Sequence, residues 1–324
     1  MPRRAIGFLF CFISLFAFGP GPARSQDYPS RPIRMLVTSP AGSLVDVLAR
    51  LLTHDLGTRL GQSIVIDNRP GGSGQVAMEA LTRSPADGYT LMLGTSEMAM
   101  LPYLKKSYRI DPLKDITPIA LVTTSWTVFA VNPKVPAQTL PELIKYAKAN
   151  PGAIRYGSGG VGGALHIVVE MLKLNTGADL VHIPYRGGSQ IAADTISGQI
   201  EMASMGLAST RIAEGGKLRI LAQTGPSRHP MLPDVPTTAE HGLPDVRMDT
   251  WFGVIAPPNL PEPIVARLVS AINEVVHEPS FQDRLSKMGG ALAWKPPAEF
   301  SAYIADESKK WSRTIPAMRI TIEE

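Results

Sequence analysis

Short apolar runs alternate with helix-period apolar faces along most of the chain, with turn residues between them, and a chain written this way folds into α/β layers. Ile33 to Thr38 reads as a buried strand, and Val45, Leu48, Leu52 and Leu56 then fall on one helical face. Ile64 to Asn68 is a second strand, and an Asp87-Gly88 turn leads into a third from Tyr89 to Gly94. Leu121 to Val131 is strand-like again. Thr139 with Glu142 forms a capping box, so the next helix runs to about Asn150 and stops at Pro151-Gly152. A second series follows: strand Ile154 to Gly157, helix Ala164 to Thr176, strand Leu180 to Pro184, helix Ser189 to Ser197 and strand Ile200 to Met205. Leu218 to Gln223 and Trp251 to Ala256 read as returning strands. Helical periodicity covers Ile264 to Val276, Phe281 to Met288 and Phe300 to Ile315.

A chain of 324 residues holds about two domains at ~150 residues each. No Pro/Ser-rich linker separates the two series, so the chain is expected to cross between domains on strands. The expected division is residues 26–124 with 225–324 as one domain and 125–224 as the other.

Residues 1–25 read as a secretory signal, with Arg3 and Arg4 as the positive start, Ile6 to Phe18 as the apolar stretch and Ala23-Arg24-Ser25 as the cleavage site. Cleavage is expected after about Ser25, into the periplasm. The apolar stretch is well short of the ~20 residues that span a bilayer. The formal charge of +4 is concentrated here, because the segment carries three arginines and no acid. The remaining chain is nearly neutral and offers no basic stripe for phosphates, which argues against nucleic acid as a partner. Cys11, the only cysteine, lies inside the same segment, so disulfide and thiolate chemistry are both excluded from the exported chain.

Two glycine-rich turns, each between a strand and a helix, carry the chemistry. They are Thr38-Ser39-Pro40-Ala41-Gly42-Ser43 before the helix containing Asp46, and Gly157-Ser158-Gly159-Gly160-Val161-Gly162-Gly163 before the helix containing His166. Small residues admit a ligand to the backbone, and the first N–H groups of a helix lack internal partners and carry its positive end. Such a turn takes an anion. If each domain supplies one, two helix N-termini face each other across a cleft; taken singly, either is an ordinary connection.

Gly157, Gly159 and Gly162 also match a dinucleotide fingerprint. Asp179, however, precedes its strand instead of ending it, and export removes the chain from the cytoplasmic nicotinamide pool. No nucleophile elbow, phosphate loop or metal-ligand histidine spacing occurs, so neither a catalytic group nor a cofactor is expected.

Further motifs stand in order from Tyr28 almost to the C-terminus. They include Tyr28-Pro29 with Arg31-Pro32-Ile33, Asp46 with Ala49-Arg50, Asn68-Arg69-Pro70-Gly71-Gly72 and Asp87-Gly88-Tyr89-Thr90-Leu91. Tyr156-Gly157-Ser158, His182-Ile183-Pro184-Tyr185-Arg186-Gly187, Leu232-Pro233-Asp234-Val235-Pro236-Thr237 and Trp251-Phe252-Gly253 follow. On these motifs the chain resembles the solute-binding proteins of tripartite tricarboxylate transporters, the Bug family. The resemblance implies a two-domain α/β periplasmic binding protein fold of type II, each domain a mostly parallel sheet flanked by helices, joined by crossing strands. It also implies a small organic acid between the domains, membrane transporter subunits as partners, and a monomer that closes about a hinge. An exported sensor coupled to a signalling partner is the alternative.

Carried over by position, the resemblance places Ser39, Pro40, Ala41, Gly42 and Ser43 in the first ligand turn, with Asp46 behind it. Ser158, Gly159, Gly160 and Gly162 form the second, with His166. Tyr185, Arg186 and Gly187 border the cleft, and Ser96 and Glu97 close one side. Asp46 either orients waters or binds a ligand ammonium, or else serves as a helix-start acid. His166 either assists an anion or is a satisfied structural histidine. Arg186 either neutralises an anion or forms a surface salt bridge. Arg69 is read as part of a structural turn, and Trp251 and Phe252 as core or cleft wall. The chain departs from the family pattern at Ser43, Leu44-Val45, Glu97-Met98-Ala99-Met100 and Met202 to Gly206, where Met205 counts among the site residues. These departures make the pocket mouth greasier and point to an acid with an apolar or aromatic body in preference to citrate.

Overall fold

The structure, a computed structural model, describes residues 28–185, 188–320 and 322. The expected signal segment lies outside the described residues, as do Arg186 and Gly187. No described helix is long and apolar enough to cross a membrane.

The first half contains β1 (Ile33–Val37), α1 (Leu44–Leu60), β2 (Ile64–Asn68), α2 (Gln75–Thr82), β3 (Thr90–Thr95) and α3 (Glu97–Leu104). The long strand β4 (Thr117–Val131) leads into the second half, built from α4 (Leu140–Ala149), β5 (Ile154–Ser158), α5 (Ala164–Thr176), β6 (Leu180–Pro184), α6 (Gly188–Ser197), β7 (Met202–Gly206) and β8 (Arg219–Gln223). The chain returns through β9 (Asp249–Ala256) to α7 (Glu262–Val276), α8 (Pro279–Lys287), β10 (Gly290–Lys295) and α9 (Pro297–Met318). All strands join one sheet of order β2-β1-β3-β9-β4-β7-β5-β6, with β8 and β10 also on β4.

Parallel ladders occur at the two wings, where β1 pairs β2 and β3, and β5 pairs β6 and β7. The wing strands β1 and β5 share one burial pattern, a single exposed position among buried ones, because helices cover both faces. The central ladders between the wings are antiparallel, since β4 and β9 run in opposite directions as they carry the chain out and back.

The helix boundaries have local causes. Ser43 opens α1 by accepting the Asp46 N–H on its hydroxyl at 3.2 Å, and Gly61 closes it in the left-handed conformation. Thr139 opens α4 by accepting the Glu142 N–H at 3.4 Å. The Glu142 carboxylate reaches back to the N–H of Gln138 at 2.7 Å, one residue before the usual capping-box partner. The helices α2 and α3 and the strand β10 carry no clear period in the sequence. In α3 the residues are apolar nearly all round and Pro102 interrupts them, while β10 is half-exposed and its register slips between Leu292 and Lys295.

The crossing is knitted at one level. β4 pairs β9 as far as Trp126, and from Thr127 onward it pairs β7, with β8 joining at Val128. Register shifts between Pro118 and Ala120 and between Leu121 and Thr123 bend it as it passes. The Thr127 and Thr224 hydroxyls lie 2.8 Å apart, Thr224 N–H donates to the Thr127 carbonyl at 3.0 Å, and the Thr224 hydroxyl donates to the Met248 carbonyl at 3.1 Å. Beside this knot, a Cβ on Gly225 would stand 2.5 Å from the buried Trp126 ring. Away from the crossing, α9 packs on α3 and α5, so one apolar core runs from Met78 and Met98 through Trp311 and Ile315 to Ile167 and Leu172.

Gly225→Ala is therefore expected to destabilise the fold by about 1–3 kcal/mol through overpacking, measured by chemical denaturation. An unchanged midpoint would show that Trp126 yields freely.

Candidate functional site

A cavity of about 470 Å³ opens between the two halves. The first half contributes Ser39, Pro40, Leu44 and Val45 from the β1–α1 turn, Pro70, Gly71, Ser73 and Gly74 after β2, and Thr95 and Glu97 at the end of β3 and the start of α3. The second contributes Gly159 and Gly163 to Leu165 from the β5–α5 turn, with Gly206 and Ser209. The crossing strands supply the back wall through Ser125, Trp126, Thr127, Thr250 and Phe252. The first turns of α1 and α5 therefore open onto the same space, where their leading N–H groups have no intrahelical acceptor.

The two turns are built alike. Gly42 and Gly162 each sit two residues before their helix in the left-handed region, at φ 80° and 79°, which an L side chain rarely adopts. In both, the glycine N–H donates to a side chain four residues ahead. Gly42 donates to the Asp46 carboxylate at 2.9 Å, and Gly162 donates to His166 Nδ1 at 3.1 Å. The next residues, Ser43 and Gly163, take the same extended conformation as helix caps.

Asp46 is 2% exposed, and both its oxygens are engaged. Besides Gly42, it accepts from Arg50 Nε and an Arg50 terminal nitrogen at 2.9 and 3.0 Å and from Asn68 at 2.9 Å. The same Asn68 amide donates to the Ser39 carbonyl, locking the other end of the turn. The Arg50 guanidinium, helped by the Gly42 N–H and the Asn68 amide, holds the Asp46 carboxyl well below the usual carboxylate range against the opposing effect of burial.

Beneath the second turn the partners are different. His166 packs against His182 with ring centroids 4.1 Å apart and the rings tilted by 36°, and His182 Nε2 shares a 2.6 Å hydrogen bond with the Ser158 hydroxyl. His166 Nε2 faces Glu170 at 3.9 Å, and that carboxylate also accepts from Tyr156 at 2.8 Å and Lys173 at 2.7 Å. Burial, reinforced by the neighbouring His182, pushes the His166 ring down to about 4, and burial lowers His182 as well. A neutral His166 is what the geometry requires, because its Nδ1 accepts the Gly162 N–H.

Of the residues expected at the site, Ser39, Pro40, Glu97 and Gly159 line the cavity. Ala41, Gly42, Ser43, Gly160 and Gly162 shape the turns without lining it. Asp46 and His166 lie behind the turns as braces, outside the cavity lining. Ser158 and Ser96 are fully buried, the first turned toward His182 and the second packed behind Glu97. Tyr185 points to α6, donating to Asp194 at 2.9 Å. Met205 faces the core with Val128 and Ile191, and the adjacent Gly206 meets the cavity instead, because side chains alternate along β7. Arg186 and Gly187 are outside the described residues. Phe252 is cleft wall and Trp251 is core. Arg69 stays at a turn, 3.0 Å from Asp67.

Sequence reasoning reached Phe252 of the back wall but passed over Ser125, Trp126, Thr127 and Thr250, and with them Pro70, Gly71, Ser73 and Gly74. The signal available for the wall was Ser125-Trp126-Thr127, a polar and aromatic interruption within an apolar strand. The described residues hold no cluster of three or more His, Cys, Asp or Glu side chains suited to a metal.

The His166 brace has a pH signature. A ring lowered from about 6.5 to about 4 favours the fold while neutral, so its contribution is complete above the unfolded value and is lost as pH falls toward 4. His182 adds in the same sense. Stability measured by denaturation is expected to fall across that window, and more gently in His166→Gln. At neutral pH, His166→Ala leaves the Gly162 N–H without its acceptor and is expected to cost about 1–3 kcal/mol.

The chain matches the model of the tripartite tricarboxylate transporter family receptor over residues 48–320. Protein BugT of Bordetella pertussis is 33% identical over 298 residues, spanning 91% of each chain. Rpa4515 of R. palustris, solved with adipate, has a TM-score of 0.82 at 30% identity and covers 91% of this chain and 99% of its own. MatC from Rhodopseudomonas palustris, solved with bound malate, has a TM-score of 0.78 at 26% identity over 89% of this chain and all of its own. With its two halves, crossing strands and shared cleft, the chain belongs to the tripartite tricarboxylate transporter receptor family, whose members are periplasmic solute-binding receptors and not enzymes.

Proposed function

We propose that the protein captures a small organic acid between its halves and delivers it to the membrane subunits of a tripartite tricarboxylate-type transporter. The observation that carries this reading is the convergence of the α1 and α5 N-termini on one cavity from opposite halves. A carboxylate held there meets oriented N–H groups from both sides. Charge-assisted hydrogen bonds contribute about 1.5–3 kcal/mol each, so a few of them sustain micromolar affinity, about −8 kcal/mol, after ordering costs. The adipate and malate seen in two structural neighbours are acids of the same class.

The halves divide at about residues 124/125 and 224/225, and the Thr127–Thr224 knot is the hinge. Closure then follows from differential contact, since only the closed form touches the acid from both turns. Leu44, Val45, Trp126, Leu165 and Phe252 give the cavity an apolar lining that a compact tricarboxylate leaves unfilled. The ligand is accordingly an acid with an aromatic or extended aliphatic body.

Calorimetry with a panel of aromatic, long aliphatic and compact acids tests this. At least one aromatic or aliphatic acid is expected to bind one-to-one in the micromolar range, with citrate about tenfold weaker or more. Tight citrate binding with silence from the other acids would contradict the proposal.

A further inference from the structure

Among the described residues lining the cavity, Glu97 is the sole charged side chain, and it is negative. No lysine, arginine or histidine stands in that lining. Glu97 is half-buried, and among the described residues it takes part in no ion pair. Its one hydrogen bond, from the Ser96 hydroxyl, is 3.5 Å long, at the limit of such a contact.

Position explains how this acid is tolerated without a counter-charge. Glu97 opens α3, and a helix N-terminus favours a carboxylate in its first turn. Three helix N-termini thus reach the cavity, and they differ in charge. Those of α1 and α5 present uncharged residues, Leu44 with Val45 and Ala164 with Leu165, whereas that of α3 is already occupied by its own acid. The cavity is polarised, attractive to an anion at two ends and to a cation at the third. Asp46, the other acid considered for an ammonium, has no oxygen to spare, because Gly42, Arg50 and Asn68 engage both of them.

We infer that the ligand is a zwitterion, a monocarboxylate that also bears a protonated amine, with Glu97 as the residue that selects it. The inference rests on the carboxylate reading above and deepens it. The carboxylate meets the turns before α1 and α5, the ammonium meets Glu97, and the apolar body lies between them against Trp126 and Phe252. A second carboxylate at the Glu97 end meets like charge and is disfavoured.

Two matched trios test this by calorimetry at neutral pH: caproate, ε-aminocaproate and adipate; and para-toluate, para-(aminomethyl)benzoate and terephthalate. Members of each trio share a length and differ mainly in the group remote from one carboxylate. In at least one trio the ammonium compound is expected to bind tightest, by about tenfold to a hundredfold over its uncharged counterpart, with the dicarboxylate weakest. Glu97→Gln, checked for folding by circular dichroism, is expected to remove that preference. The wild-type ranking tests the inference even if this variant does not fold. Binding of the dicarboxylate or the uncharged acid as tightly as the ammonium compound in both trios overturns the inference alone, as does an unchanged ranking in Glu97→Gln. Silence from all six compounds overturns the carboxylate reading and the inference with it.

Discussion

The site depends on a hydrogen bond that each half makes to itself. A left-handed glycine in the loop donates its N–H to a side chain one turn into the following helix, and the loop cannot unwind while that bond holds. The consequence is directional. With the glycine N–H turned inward, the first-turn N–H groups of the helix are left for the cleft, and the proposed carboxylate is the kind of partner that satisfies them. The two halves reach this geometry with different chemistry, an arginine-clamped carboxylate at Asp46 and a neutral imidazole at His166. The first brace holds its charge deep into acid, whereas the second depends on a ring that stays unprotonated.

Two such braces make a receptor only if they face each other, and the sheet arranges this. The wings β2-β1-β3 and β6-β5-β7 carry their glycine turns at the ends of β1 and β5, and the antiparallel pair β4 and β9 joins the two wings. The shared strand changes partners where Trp126 and Thr127 enter the cavity wall, so the floor of the cleft and the crossing are the same residues.

Much of this was legible in the sequence. The wing strands alternate with helices whose caps and stops are local, and Ile64–Asn68, Ala164–Thr176 and Leu180–Pro184 fall where periodicity and turn residues put them. The glycine turns were legible for the same reason, because only glycine accepts their backbone. What a side chain faces was less legible. Asp46 and His166 sit beside the right loops yet point behind them, and spacing alone does not distinguish a brace from a contact. Met205 and Gly206 are neighbours on opposite faces of one strand, so a shift of a single residue decides which of them reaches the cavity. The back wall was hidden because Ser125, Trp126 and Thr127 acquire their role from strands far along the chain, Ser125 and Trp126 from β9 and Thr127 from β7.

Backbone amide NMR tests the central claim most directly. As a carboxylate found to bind is titrated in, the ¹H–¹⁵N resonances of Leu44 and Val45 are expected to move together with those of Ala164 and Leu165, in the hydrogen-bonded sense and along one saturation curve. Shifts confined to one of these helices, or gathered at a surface away from both, would contradict the account.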